Sequence, residues 1–127
     1  MKHVRISAQL AEKIHEQLVS ATGGASGLRD AALLESALAS AWQTCGAAEP
    51  NHSAEDQAAQ VCFSIIENHP FMDGNKRAGI HLLLLLLSLE KIEMHYTQDE
   101  LVDLGYGLAD GSLDFGYLRI WIKTHKN

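Results

Sequence analysis

Residues 80–89 read Ile-His-Leu-Leu-Leu-Leu-Leu-Leu-Ser-Leu, a stretch with six consecutive leucines. Crossing a bilayer takes about 20 apolar residues, and this run is half that length with a histidine inside it. A helix apolar on every face but too short to span belongs at the centre of a soluble core. The rest of the chain must therefore supply helices to cover it. Strand patterns are nearly absent, with no sustained alternation of polar and apolar residues. The expectation is an all-α protein without a membrane span, a compact bundle of about six helices around a buried central helix.

The chain has 127 residues, with 10 Lys+Arg against 16 Asp+Glu and a net charge of −6. That length supports one domain over residues 1–127. An acidic chain lacks the clustered cations that grip nucleic acid by neutralising phosphates, so no nucleic-acid partner is expected. A small basic pocket for one nucleotide stays open. Cys45 and Cys62 are isolated and read as small apolar residues, not as a disulfide or zinc framework. The segment from Met1 to Ser7 lacks the apolar stretch of a signal peptide, which points to the cytoplasm.

Capping and periodicity place the helices. Ser7 opens one over residues 8–20 with Leu10, Ile14 and Leu18 inward, and Gly23-Gly24 stops it. Asp30 opens a second, with a stripe of Leu33, Leu34, Ala37, Leu38 and Ala41. Residues 44–51 read as a loop. Ser53 and Asp56 start a third, whose stripe of Ala58, Val61, Cys62, Ile65 and Ile66 extends to His69, on the buried edge where Pro70 ends the helix. The leucine helix follows from about Lys76 to Lys91. Thr97 and Glu100 form a capping box for a fifth helix carrying Leu101, Leu104 and Leu108, broken by Gly111. Asp114 starts a sixth, with Leu118, Trp121 and Ile122 inward.

The segment His69-Pro70-Phe71-Met72-Asp73-Gly74-Asn75-Lys76-Arg77 holds the chemistry. It leads into a helix N-terminus, whose unpaired N–H groups and dipole favour an anion. Gly74 lets backbone approach that anion closely. Asn75 can cap the helix or turn its amide to a phosphate oxygen. Lys76 and Arg77 add two cations at the helix end that disfavours them, which an anion would offset. Asp73 makes sense there as a carboxylate for a divalent metal bridging phosphates. His69 brings an imidazole that can take a proton from an attacking hydroxyl. Together these residues read as a phosphate-transfer site. The other histidines show no metal-ligand spacing and read as structural or surface residues; His81 is set apart by lying one turn into the leucine helix.

The segment resembles the signature of the Fic/Doc superfamily, H-x-F-x-(D/E)-G-N-x-R, matched by His69, Phe71, Asp73, Gly74, Asn75 and Arg77. Lys76 stands where Fic nucleotidyltransferases carry Gly and the Doc (death on curing) branch carries Lys. Gly23-Gly24, Gly27–Asp30 and Leu33–Leu38 look like the N-terminal region of Doc toxins, and Leu108–Asp114 like their C-terminal helix–turn–helix. The resemblance implies a bacterial cytoplasmic toxin of a toxin–antitoxin pair. Such a toxin uses ATP and Mg²⁺ to phosphorylate a threonine of a translation factor, elongation factor Tu, and is bound by a Phd-like antitoxin. A groove near Leu28 to Leu38 is the expected antitoxin site by analogy. Ile80 stands where Fic enzymes place a second arginine on the outer phosphates, which favours presenting the γ-phosphate over the α-phosphate. His69 would be the base, and Asp73 would hold Mg²⁺ or the accepting hydroxyl. Gly74, Asn75, Lys76 and Arg77 would hold the phosphates. The alternatives are Fic-type AMP transfer to a protein side chain and a catalytically silent antitoxin-binding module.

Overall fold

Helix starts in this chain are set by short polar side chains that accept the first free N–H groups. Ser7 Oγ accepts from Leu10 N at 3.1 Å, and Ser53 Oγ from Asp56 N at 3.1 Å. Asp30 Oδ1 accepts from Ala32 N and Leu33 N, and Asp114 Oδ1 from Tyr117 N at 2.8 Å. Thr97 and Glu100 close the reciprocal capping box. The resulting helices, in a computed structural model that describes residues 4–44 and 53–127, are α1 (Ala8–Thr22), α2 (Ala31–Thr44), α3 (Ala54–Asn68), α4 (Asn75–Leu89), α5 (Gln98–Asp110) and α6 (Phe115–His125). There is no strand among the described residues, only two isolated bridges, Leu28 with Phe71 and Met94 with Lys126. The protein is all-α, and residues from all of its helices share one hydrophobic core. Among the described residues no helix is long and apolar enough to cross a membrane. Cys45 and most of the expected 44–51 loop lie outside the described residues; Thr44 itself ends α2.

The centre of the bundle is α3, not the leucine helix. Nine residues of α3 are buried, among them Ala58, Ala59, Val61, Cys62, Ile65 and Ile66, and it packs against α2, α4, α5 and α6. Its alanines let neighbours close in from several sides. The leucine helix buries Leu82, Leu83, Leu86 and Leu87 but leaves His81, Ser88 and Leu89 exposed. Composition showed the apolar demand of α4 but not how many neighbours would meet it. The stripe of α1 also differs from expectation: Ala11, His15 and Val19 are buried, and Leu10 is exposed. The fully buried positions lie one residue on and include a histidine that a hydrophobic count passes over, while Ile14 and Leu18 pack against the core as expected. Cys62 is fully buried, and desolvation pushes its thiol well above its usual range.

Several polar contacts tie α6 down, among them two that reach distant parts of the chain. The Asp56 carboxylate takes a forked pair from Arg119, Nε to Oδ1 at 2.8 Å and Nη2 to Oδ2 at 3.2 Å. His95 N donates to His125 O at 2.6 Å, joining the end of α6 to the segment before α5.

The α3–α4 contact depends on Gly79. A Cβ there would lie 2.8 Å from Ile66 Cγ1 and 3.0 Å from the Cys62 carbonyl oxygen, so any side chain forces the two helices apart. Gly79→Val should lower stability by about 1–3 kcal/mol through overpacking, read as a lower urea midpoint at unchanged slope. An unchanged midpoint would mean the helices do not meet there.

Candidate active site

The six-residue connection from α3 to α4 is built around a left-handed turn. His69 has φ 51°, as the C-cap of α3, and that conformation costs a non-glycine residue about 1–2 kcal/mol. It carries the side chain out of the helical register, so His69 is exposed, not on the buried edge of α3 as its spacing from Ile65 and Ile66 suggests. Pro70 and Phe71 take the buried place instead. Arg29 clamps the turn: its Nε donates to the His69 carbonyl at 2.6 Å and its Nη2 to the Asn68 carbonyl at 2.8 Å. Its own N–H and that of Asp30 both donate to the Pro70 carbonyl.

The rest of the loop is pinned from within. Asn75 Oδ1 accepts from Phe71 N at 3.0 Å, and its Nδ2 donates to Phe71 O at 3.1 Å. The Asn75 amide thus braces the loop. Beneath it the buried His15 ring stacks on Phe71 with centroids 3.9 Å apart. His15 Nε2 lies 2.6 Å from the Asp73 carbonyl oxygen, and a carbonyl only accepts, so this nitrogen carries the proton. Met72 N donates to Gly27 O at 3.0 Å, setting the α1–α2 connection alongside.

Asp73 Oδ1 accepts from Gly74 N at 2.8 Å and Oδ2 from Ala25 N at 3.3 Å. These two donors, Gly74 first and then Ala25, hold its carboxyl below the ordinary 3.8, with Arg77 beside it adding to the effect. Gly24 makes the approach possible: its φ is +110°, and a Cβ there would lie 2.7 Å from Asp73 Oδ2. Arg77 Nη1 donates to Thr22 Oγ1, and Nη2 to Gly23 O at 3.2 Å. Lys76 turns the other way, its Nζ 3.4 Å from the centroid of the Tyr106 ring. The two cations therefore meet partners of this chain: a hydroxyl and a carbonyl for one, an aromatic face for the other.

These side chains surround one hollow of about 400 Å³ lined by His69, Met72, Asp73, Gly74, Asn75, Lys76 and Arg77. It opens over the start of α4, the helix whose N-cap, Gly74, offers no side-chain acceptor. The first N–H groups of α4 are thus left for an anion, where other helices of the bundle spend theirs on a cap. The hollow joins a second groove of about 360 Å³ between α4 and α5, lined by Ile80, His81, Leu101 and Val102 and sharing Lys76 and Arg77. Among the described residues no three His, Cys, Asp or Glu side chains gather as a metal site. Among the described residues Asp73 is the one carboxylate on the hollow. A carboxylate has about four lone-pair sites and here donors reach two, so it can be one ligand of Mg²⁺ whose remaining ligands come from phosphates and water.

The loop and its two supporting elements bring a histidine, a carboxylate and two cations together at one helix N-terminus. A family model described as the Fic/DOC family matches residues 5–87, well over half of the 127-residue chain, and the chain belongs to that family. Its members are transferases that move an adenylyl or a phosphoryl group. No curated protein matches the chain.

Sequence reasoning named every side chain around the hollow except Met72. It missed what holds them: His15, Gly24, Ala25, Arg29 and Tyr106. Only His15 left a local trace, as a polar residue spaced four from Ala11 and four from Val19. The rest are long-range contacts. In an NMR titration, Asp73 should show a midpoint below 3.8. Because the folded value is depressed, the stability it lends the loop is complete above the ordinary value and is lost as pH falls through the lowered one. A midpoint at or above 3.8 would mean that the Gly74 and Ala25 donors do not engage it.

Proposed function

We propose that the protein is a Doc-like toxin that transfers the γ-phosphoryl group of ATP to a Thr or Ser hydroxyl of a translation factor, elongation factor Tu. The observation that carries the phosphoryl reading is Lys76 with Ile80 in an otherwise intact motif. The lysine occupies the place of a small glycine, and no arginine one turn on is available to anchor outer phosphates in the adenylyl-transfer sense. Ile80 instead lines the α4–α5 groove as an apolar wall.

In this reading the hydroxyl oxygen bonds to the γ-phosphorus as the bond to the ADP oxygen breaks. His69, exposed on the hollow, takes the hydroxyl proton. The N–H groups at the start of α4, with Lys76 and Arg77, hold the phosphate oxygens, and Asn75 keeps the loop in shape for them. Asp73 holds Mg²⁺ or orients the accepting hydroxyl. Bound Mg²⁺ would neutralise phosphate charge. Transfers of this kind depend mainly on positioning and charge stabilisation, which suits a loop whose backbone is pinned at so many points. A Phd-like antitoxin, folding onto the chain near Leu28 to Leu38, is the partner proposed with this function.

Intact mass of elongation factor Tu after incubation with the protein, ATP and Mg²⁺ tests the reading. A gain of about 80 Da marks a phosphoryl group and about 329 Da an adenylyl group. The first is expected, the second would establish the AMP-transfer alternative, and no gain on any translation factor would favour the silent binding module. His69→Ala should reduce the rate roughly 10²–10⁴-fold; full activity would remove His69 from the role of base.

A further inference from the structure

We propose that Tyr106 is a positioning residue for Lys76: with Gly105 it forms a seat on α5 that holds the Lys76 ammonium at the mouth of the phosphate hollow. The proposal rests on the reading that Lys76 contacts phosphate. Lys76 is the second residue of α4 and is followed by Arg77, so its ammonium is disfavoured by the helix dipole and by a neighbouring cation. A lysine so placed would ordinarily turn its long stem into water. Here the Nζ instead lies 3.4 Å from the Tyr106 ring centroid, well inside the range of a cation–π contact.

The path of the stem is equally specific. At Gly105 a Cβ would come within 3.3 Å of Lys76 Cγ and 3.4 Å of Cδ. The missing side chain lets the stem lie flat against α5. Tyr106 is 60% exposed, so core packing does not account for its placement, whereas its contact with Lys76 does. Both residues of the seat lie beyond the family match at residues 5–87.

The seat has a direct consequence for binding. Lys76 borders both the hollow and the α4–α5 groove, and Tyr106 lines the groove, so the seat lies beside the hollow. An ammonium has three donors, and an aromatic face occupies only one side of it. It can therefore donate to phosphate oxygens without leaving the ring. Holding a flexible stem in one place before the ligand arrives lowers the ordering cost of binding, and the ring tempers the repulsion from Arg77 until then.

Calorimetry of Mg-ATP binding to the full chain tests this in four variants. Tyr106→Leu should weaken binding about two- to fivefold, with the KM for ATP following and kcat held. Tyr106→Phe keeps the ring and should keep the affinity. In a Lys76→Met background, Tyr106→Leu should cost nothing further. Melting temperatures monitor the fold, which an exposed residue leaves intact. If Tyr106→Leu has no effect, acts equally in both backgrounds, or is matched by Tyr106→Phe, the seat is overturned while ATP binding by the unsubstituted protein leaves the functional reading standing. If the unsubstituted protein does not bind Mg-ATP, the functional reading and the seat fall together.

Discussion

His69 holds a backbone conformation that its own side chain disfavours, and the geometry of the loop depends on its being held there. With φ at 51°, the chain leaves α3 abruptly, drops Pro70 and Phe71 inward and turns the imidazole outward. The strain is of order 1 kcal/mol, and three donors, the Arg29 Nε and Nη2 and its backbone N–H, fall on consecutive carbonyls of Asn68, His69 and Pro70. Arg29 therefore does for this turn what glycine does elsewhere, at the cost of one long side chain held in place. A glycine at 69 would relieve the strain and remove the imidazole that lines the hollow.

The same division of labour runs through the loop. Backbone groups are satisfied by other groups of the chain: Phe71 by the Asn75 amide, the Asp73 carbonyl by His15, Met72 N by Gly27. This leaves the His69 ring free while keeping its position defined, the condition for transfer chemistry that relies on placement. Arg77 is different. It is already bonded to Thr22 and Gly23 and stands beside Asp73. Its guanidinium has five N–H donors, enough to keep these contacts and still offer one to an anion.

How much of this was legible depends on range along the chain. Caps are local, and Ser7, Asp30, Ser53, Thr97 with Glu100, and Asp114 were all readable because a cap and its partner lie within three residues. The motif is local too, which is why the residues of the hollow could be named. Burial is not local. The leucine run announced an apolar helix, yet the centre went to α3, whose alanines and Gly79 of α4 set how closely helices approach. Helical spacing put His69 on the buried face and failed there because one left-handed residue ends the periodicity. Contacts such as His15 with Asp73, 58 residues apart, leave no local pattern.

Charge shows the same limit in its sharpest form. A net charge of −6 says nothing about a hollow where Lys76 and Arg77 sit beside a single carboxylate. Two cations at the positive end of a helix looked like an uncompensated cost that only a bound anion would relieve. The structure offsets part of it internally, with Asp73 beside Arg77 and the Tyr106 ring under Lys76. That compensation is uneven: a carboxylate near Arg77 carries opposite charge, whereas the aromatic face beside Lys76 only polarises. Lys76 is also the position at which the motif resembles the Doc form over the glycine-bearing Fic form. The residue that sets the chain apart within its signature is thus supported by α5, outside the signature. A substitution at 76 has to be read together with Gly105 and Tyr106, because a lysine without that seat would carry the same charge to a less defined place.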